Sequence, residues 1–436
     1  MKKFISLLLV LALVSGAVFA GFSGNASVEA GYNLDDGAWG FTNKKAFGID
    51  VNFLEAIGEK KGEGDIYADV KATLKFYFNN GDNKDLASAG GNTADVIDTF
   101  GVEAKLVHAK IVGDGWYVGI KESVDGANFA TSAIDSVERD PGKPNKLGYD
   151  TAAKDYFADI RSKDFVKKTD GVEIGVSGFV VGLSAKGNAK TDETHVFGSV
   201  ATPDFAVADG ITVKAGAAGF LQKNSTTDKA GGSFSLKGAY DVDGVKASVA
   251  TDLVYEKTSK FDADVALNVQ VAPVALDVYY ATVSAYEADA GTEGTAASGV
   301  DNLLSAKVVT DLKNFDVPVV VTLTGKDLIN KQDLGLKVGV TVAEGLTITP
   351  AGGYVINTKV WNAGADVEYK TDAFTAKVGG NYKSTEQLKL NASIESSALV
   401  SGATLKLAYE GKDVLQKIAT ETTDLGKIVA SAKIAF

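Results

Sequence analysis

The sequence predicts an all-β fold: a transmembrane antiparallel β-barrel of about 22 strands (20–22), with a long third external loop containing a short helix. Three observations carry this expectation. Apolar and polar residues alternate with period two from Asn25 onward. Short and long connections alternate along the chain. The last stretch, residues 427–436, has one wholly apolar face (Ile428, Ala430, Ala432, Ile434, Phe436) and ends on an aromatic. Side chains on a strand point alternately to opposite faces, so each such run makes one apolar face and one polar face.

The chain opens with Lys2 and Lys3, an apolar run from Phe4 to Val14, and small residues leading to Val18-Phe19-Ala20. This is the pattern of a secretory signal peptide, residues 1–20. Residues 21–436 then read as a single outer-membrane barrel domain. Loss of Lys2 and Lys3 takes the net charge from −12 to −14, which argues against a nucleic-acid partner. There is no Cys, and the one Met is Met1, so disulfides and thiolate metal sites are excluded. No later segment approaches the roughly 18 apolar residues of a membrane helix.

Representative strands are Phe47–Phe53, Ile66–Phe76, Val245–Tyr255, Leu388–Ile394 and Leu405–Tyr409. The apolar parity flips between Val172/Ile174/Val176 and Phe179/Val181/Leu183, which predicts a tight turn at Ser177-Gly178. Other short turns fall at residues 113–115, 208–210, 241–244, 272–273, 343–345 and 371–373. Longer polar connections fall between them at 79–98, 122–170, 223–230, 287–299, 326–332 and 411–424. Periplasmic turns and external loops of a barrel require this alternation. Pro203 and Pro350 lie inside runs, and each implies a bulge or a misplaced strand boundary, since proline cannot donate to a ladder. Tyr and Phe near strand ends, among them Tyr255, Tyr279, Tyr280, Tyr369 and Tyr409, predict interfacial girdles.

With apolar faces turned to lipid, the opposite face lines a pore. It carries Asp50, Asp69, Lys71, Lys75, Lys105, Asp252, Asp262, Asp264, Asp277, Lys337, Asp366, Glu368, Lys377, Lys389, Glu395, Lys406, Glu410 and Lys433. Burying such charges in a dry core costs several kcal/mol each, whereas a water-filled barrel tolerates them. Residues 122–170 form the longest connection. Asp150 is placed to cap a helix with Ala152, Ala153, Tyr156, Phe157 and Ile160 on one face. Arg139 and Arg161, with Asp159 and Asp164 nearby, complete the constriction-loop candidates. An external epitope is the alternative role for this loop. His108 and His195 stand far apart in sequence, and no phosphate loop or clustered metal ligands are evident. No enzyme activity and no cofactor are therefore expected.

Gly40-Phe41-Thr42-Asn43, followed by Gly62-Glu63-Gly64-Asp65-Ile66-Tyr67-Ala68, resembles the treponemal major outer sheath protein family of spirochaetes. The resemblance implies outer-membrane localisation with surface-exposed loops and porin activity, passing small solutes and ions. For some members it implies adhesion to host matrix proteins and homo-trimers. The terminal strand ending in Phe436 implies recognition by the barrel assembly machinery. Some members carry an N-terminal periplasmic part. The continuous alternation from Asn25 argues here for one domain surrounded by outer-membrane lipid. The expected function is a porin, with a surface adhesin or sheath-forming structural protein as the alternative.

Overall fold

A computed structural model describes residues 22–35, 37–41, 48–57, 64–79, 99–121, 124, 127, 129–130, 171–188, 193–223, 228–256, 261–281, 303–326, 328–329, 332–411, 413–415 and 425–435. The expected signal peptide, Phe436, the helix expected after Asp150, and Arg139, Tyr156, Phe157, Asp159, Ile160, Arg161 and Asp164 lie outside the described residues.

Among the described residues there are 24 strands and no α-helix. The first twelve are β1 (Phe22–Asn33), β2 (Trp39–Phe41), β3 (Gly48–Ile57), β4 (Tyr67–Asn79), β5 (Thr99–Gly113), β6 (Trp116–Lys121), β7 (Gly171–Val176), β8 (Phe179–Asn188), β9 (Glu193–Ala201), β10 (Phe205–Ala208), β11 (Ile211–Lys223) and β12 (Asp228–Val242). The rest are β13 (Val245–Glu256), β14 (Phe261–Val271), β15 (Val274–Ala281), β16 (Leu303–Asp311), β17 (Val319–Lys326), β18 (Asp333–Ala343), β19 (Leu346–Val355), β20 (Val360–Lys370), β21 (Thr375–Lys383), β22 (Gln387–Val400), β23 (Ala403–Gly411) and β24 (Lys427–Ala435).

The chain divides into two compact units, one built from residues 1–110, 343–347 and 364–436, the other from 111–342 and 348–363. In the first, β21, β22, β23 and β24 pair in succession, and β24 pairs antiparallel with β1. The ladder thus passes from the last strand directly to the first. It continues from β1 through β3 to β4. In the second unit, β6 to β18 form an antiparallel meander of sequential hairpins.

Two positions in the sheet are each filled by a pair of strands. β2 pairs with Ala30–Tyr32 and β3 with Phe22–Ser27, on the same edge of β1. Likewise β9 and β10 both pair with β11 on one edge. The 24 strands therefore occupy two fewer positions, the expected 22. Pro203 sits in the break between β9 and β10. Thr202 keeps the ladder there: its N–H donates to Ala215 O, and its Oγ1 accepts from Ala215 N–H, both at 2.9 Å. Pro350, by contrast, lies inside β19 with no break in the strand.

The tight turn expected at Ser177-Gly178 is present, with φ of 49° and 84°. Asp243-Gly244 matches it, at 51° and 80°. Such turns carry the twist of a two-residue hairpin, and glycine takes the left-handed conformation without steric cost.

Burial is inverted relative to a water-soluble protein. In β7, Val172, Ile174 and Val176 are 42%, 36% and 52% exposed, while Glu173 between them is 6% exposed. Ser184, His195, Ser235, Asp252, Asp264 and Ser305 are also buried; Leu183, Val196, Leu236, Val265 and Leu267 are exposed. A soluble sheet that presented this face to water would forfeit the hydrophobic contribution that drives folding. Lipid is the solvent in which the pattern is stable, so this is the inside-out burial of an outer-membrane β-barrel. Outward aromatics mark strand ends in each unit. Phe179 and Phe205 meet edge to face at 5.7 Å, and Tyr369 and Phe374 at 6.0 Å. Tyr279 departs from the expected girdle. It is buried on the inner face, where its hydroxyl donates to Asp264 at 2.9 Å.

Ala392 pairs with Val378 and Tyr409 on the apolar face, and Asn391 with Gly379 and Glu410 on the other. Ala392→Lys is expected to destabilise the barrel by about 2–4 kcal/mol, the cost of Lys on a mid-depth lipid face. Asn391→Lys is expected to be nearly neutral. Urea midpoints in lipid vesicles measure both, and equal midpoints would reverse the face assignment.

Candidate functional site

Cross-strand register decides which side chains share a face. In the second unit Asp252 pairs with Ser235 and with Asp264; Asp262 falls two positions from Asp264 on the same face. Asn268 pairs with Asp277, and Asp277 with Lys307. Lys337 joins through Thr322. Asp252, Asp262, Asp264, Asp277 and Lys337 thus lie on the polar face, Asp262 by backbone register alone.

In the first unit Asp50 pairs with Lys75, with Lys71 and Asp69 further along the same side of β4. Asp50, Lys71 and Lys75 are placed by backbone register alone. Lys433 faces Ser27 and Thr404, Lys406 faces Glu395 and Ser431, and Glu410 faces Asn391 and Lys427. Lys389 and Lys377 face Asn381 and Ser393. Glu368 forms an ion pair with Lys377, and Glu395 lies 3.8 Å from Lys406. Asp366 approaches Gly379 on the same side. These exposed pairs contribute little stability each, so they act chiefly as a charged lining. Lys105 lies in β5 and its side chain is outside the described set.

Several features were not foreseen from the sequence. The Nε2 of His108 lies 3.1 Å from Asp69 Oδ2, off the line of a hydrogen bond. His195 is buried on the inner face, opposite Lys186 and Gln222. Glu173 accepts from the Tyr117 hydroxyl at 2.9 Å and from Lys121 Nζ at 2.8 Å. A Cβ on Gly175 would lie 2.0 Å from the Tyr117 ring, so the aromatic rests directly on the backbone there. The bias of glycine toward the polar parity of β7 and β8 was the available clue.

The other unforeseen feature is the start of the longest connection. Val124, Ala127, Phe129 and Ala130 lie against the inner face of β7 to β13. The Asp252 carboxylate accepts from Phe129 N–H at 3.1 Å to each oxygen and from Ala130 N–H at 2.8 Å. Ser235 Oγ donates to Ala127 O at 2.8 Å. The Lys214 ammonium lies 5.6 Å from the Phe129 ring centroid.

No family model matches the chain. The chain is 32% identical over 187 residues to the Major surface protein MspTL of Treponema lecithinolyticum, a match covering 40% of this chain. The chain spans 29% of the length of that curated relative. This bears out the resemblance to the treponemal major surface proteins. Among solved structures, the chain is similar to the translocation pore of the P pilus usher PapC (10% identity, 95% of this chain and 99% of that one, TM-score 0.44). It is also similar to the siderophore receptor PirA of Pseudomonas aeruginosa (7%, 96% and 81%, 0.44) and to Wzi of Escherichia coli (9%, 98% and 87%, 0.34).

Gly175→Val is expected to expel the Tyr117 ring and lower stability by about 1–3 kcal/mol, the usual cost of overpacking. Tyr117→Phe keeps the ring and removes the hydroxyl that donates to Glu173. Urea unfolding of the two in vesicles should rank Gly175→Val as the more damaging.

Proposed function

We propose that this outer-membrane barrel is a porin, passing small hydrophilic solutes and ions by passive diffusion through a water-filled interior. The observation that carries the reading is the pairing of an outward apolar face with an inner face rich in Asp, Glu and Lys. Charges so arranged need water, and water continuous along them conducts ions. Lysines nearly match carboxylates in number along the lining named from the sequence. Weak cation preference is the expected outcome, set by the acidic residues at the narrowest point rather than by net charge.

Refolded protein in a planar bilayer should give discrete conductance steps, and the reversal potential in a KCl gradient should be slightly cation-selective. Absence of any conductance from folded, inserted protein would overturn the porin reading. Strong anion selectivity would overturn the assignment of the lining.

The second reading is a surface adhesin on the same barrel. The relative's name, a major surface protein, favours it. Binding of host matrix protein by intact cells, without conductance, would select it.

A further inference from the structure

Asp252 is fully buried, although its face is the one that carries the charged lining. A carboxylate on a wet wall has no reason to be dry unless something covers it. What covers it is the chain that follows β6. We infer that Val124, Ala127, Phe129 and Ala130 form a strap clamped across the inner face of β7 to β13, and that Asp252 is its positioning residue.

The contacts define a track transverse to the strands. Val124 is buried where glycine leaves room on β7 and β8: a Cβ on Gly171 or Gly182 would come 2.1 or 2.0 Å from its methyl groups. Ala127 lies over Gly216 of β11, where a Cβ would come 2.2 Å from its own. Ser235 of β12 holds Ala127 O, and Asp252 of β13 holds the next two described N–H groups. The lengths agree. Ala130 lies six residues after Val124 in the sequence, and six residues can span at most roughly 20 Å. From β8 to β13 there are four strand spacings, about 19 Å.

The chemistry of the clamp is specific. A carboxylate accepting bonds from successive backbone N–H groups makes charge-assisted hydrogen bonds, stronger than neutral ones. Their loss leaves buried N–H groups unsatisfied, so the strap's seat depends on Asp252 more than on any apolar contact. A strap held this way narrows the passage beside the wall. That consequence rests on the porin reading; the clamp itself does not.

The chain has no Cys, so Ala130→Cys introduces a single thiol at a position 1% exposed. Maleimide labelling of the refolded Ala130→Cys protein should be slow. Adding Asp252→Ala should speed it by about tenfold, as loss of charge-assisted bonds raises the population of the opened strap. Gly182→Ala provides an independent route, because it evicts Val124 without touching Asp252. Heat-modifiable gel migration confirms that each protein is folded. Fast labelling of the parent, or equal rates in all three backgrounds, overturns the clamp. Single-channel conductance separates the two levels. A released strap should raise it by a measurable fraction. Faster labelling with unchanged conductance overturns the narrowing, and faster labelling in a protein that never conducts leaves the clamp and overturns the porin reading.

Discussion

Everything in this chain depends on the backbone having nowhere to hydrogen-bond but to itself. Lipid offers neither donor nor acceptor, and each unsatisfied peptide group there costs several kcal/mol. The pairing of β24 with β1 is therefore central, since it leaves neither terminal strand as an edge on that side. It also accounts for the interruptions. Where β9 gives way to β10 at Pro203, Thr202 uses both its N–H and its hydroxyl to keep Ala215 satisfied. A break in the strand is tolerated because no polar group of that ladder is stranded.

Once the ladder is fixed, period-two geometry divides the side chains without further choice. One face must be apolar, and the other is free to hold charge. That freedom lets Asp252 and Asp264 sit opposite each other on neighbouring strands, a juxtaposition that like charges disfavour. Each carboxylate is held by donors of its own: Asp252 by the N–H groups of Phe129 and Ala130, Asp264 by the Tyr279 hydroxyl. The inner face is thus built as pairs and small networks across strands, such as Ser248–Asn268–Asp277 with bonds of 3.3 and 2.6 Å.

The fold was legible because both of its determinants are local. Alternation within a strand and turn chemistry such as Ser177-Gly178 and Asp243-Gly244 are written in adjacent residues, so the strands and their tight turns could be read. Tyr279 was misread for the complementary reason. An aromatic near a strand end suits either a girdle or an inward hydrogen bond, and only the partner, Asp264 on the next strand, decides. Asp252 was read as one more charge of the polar face, and nothing near it in the sequence marked it as an anchor. Its partners on the long connection are 122 and 123 residues away, and no period or motif spans that distance. Glycines at Gly171, Gly175, Gly182 and Gly216, all on the polar parity, were the trace left in the sequence.

That separation also orders the events of folding. Closing a loop of this length costs entropy before any contact rewards it, and the cost is lowest when the wall already exists. Val124 needs β7 and β8 paired, Ala127 needs β11 and β12, and Ala130 needs β13. The strap can be seated only after the hairpins from β7 to β13 have zipped, although it is made before all of them. Its contacts are consequently late ones, which form on a finished surface. Late contacts govern how easily an element is released more than whether the fold is reached. A carboxylate at the far end of the track is well suited to that role: it adds nothing to strand pairing and fixes the position of a segment the sheet would otherwise leave free.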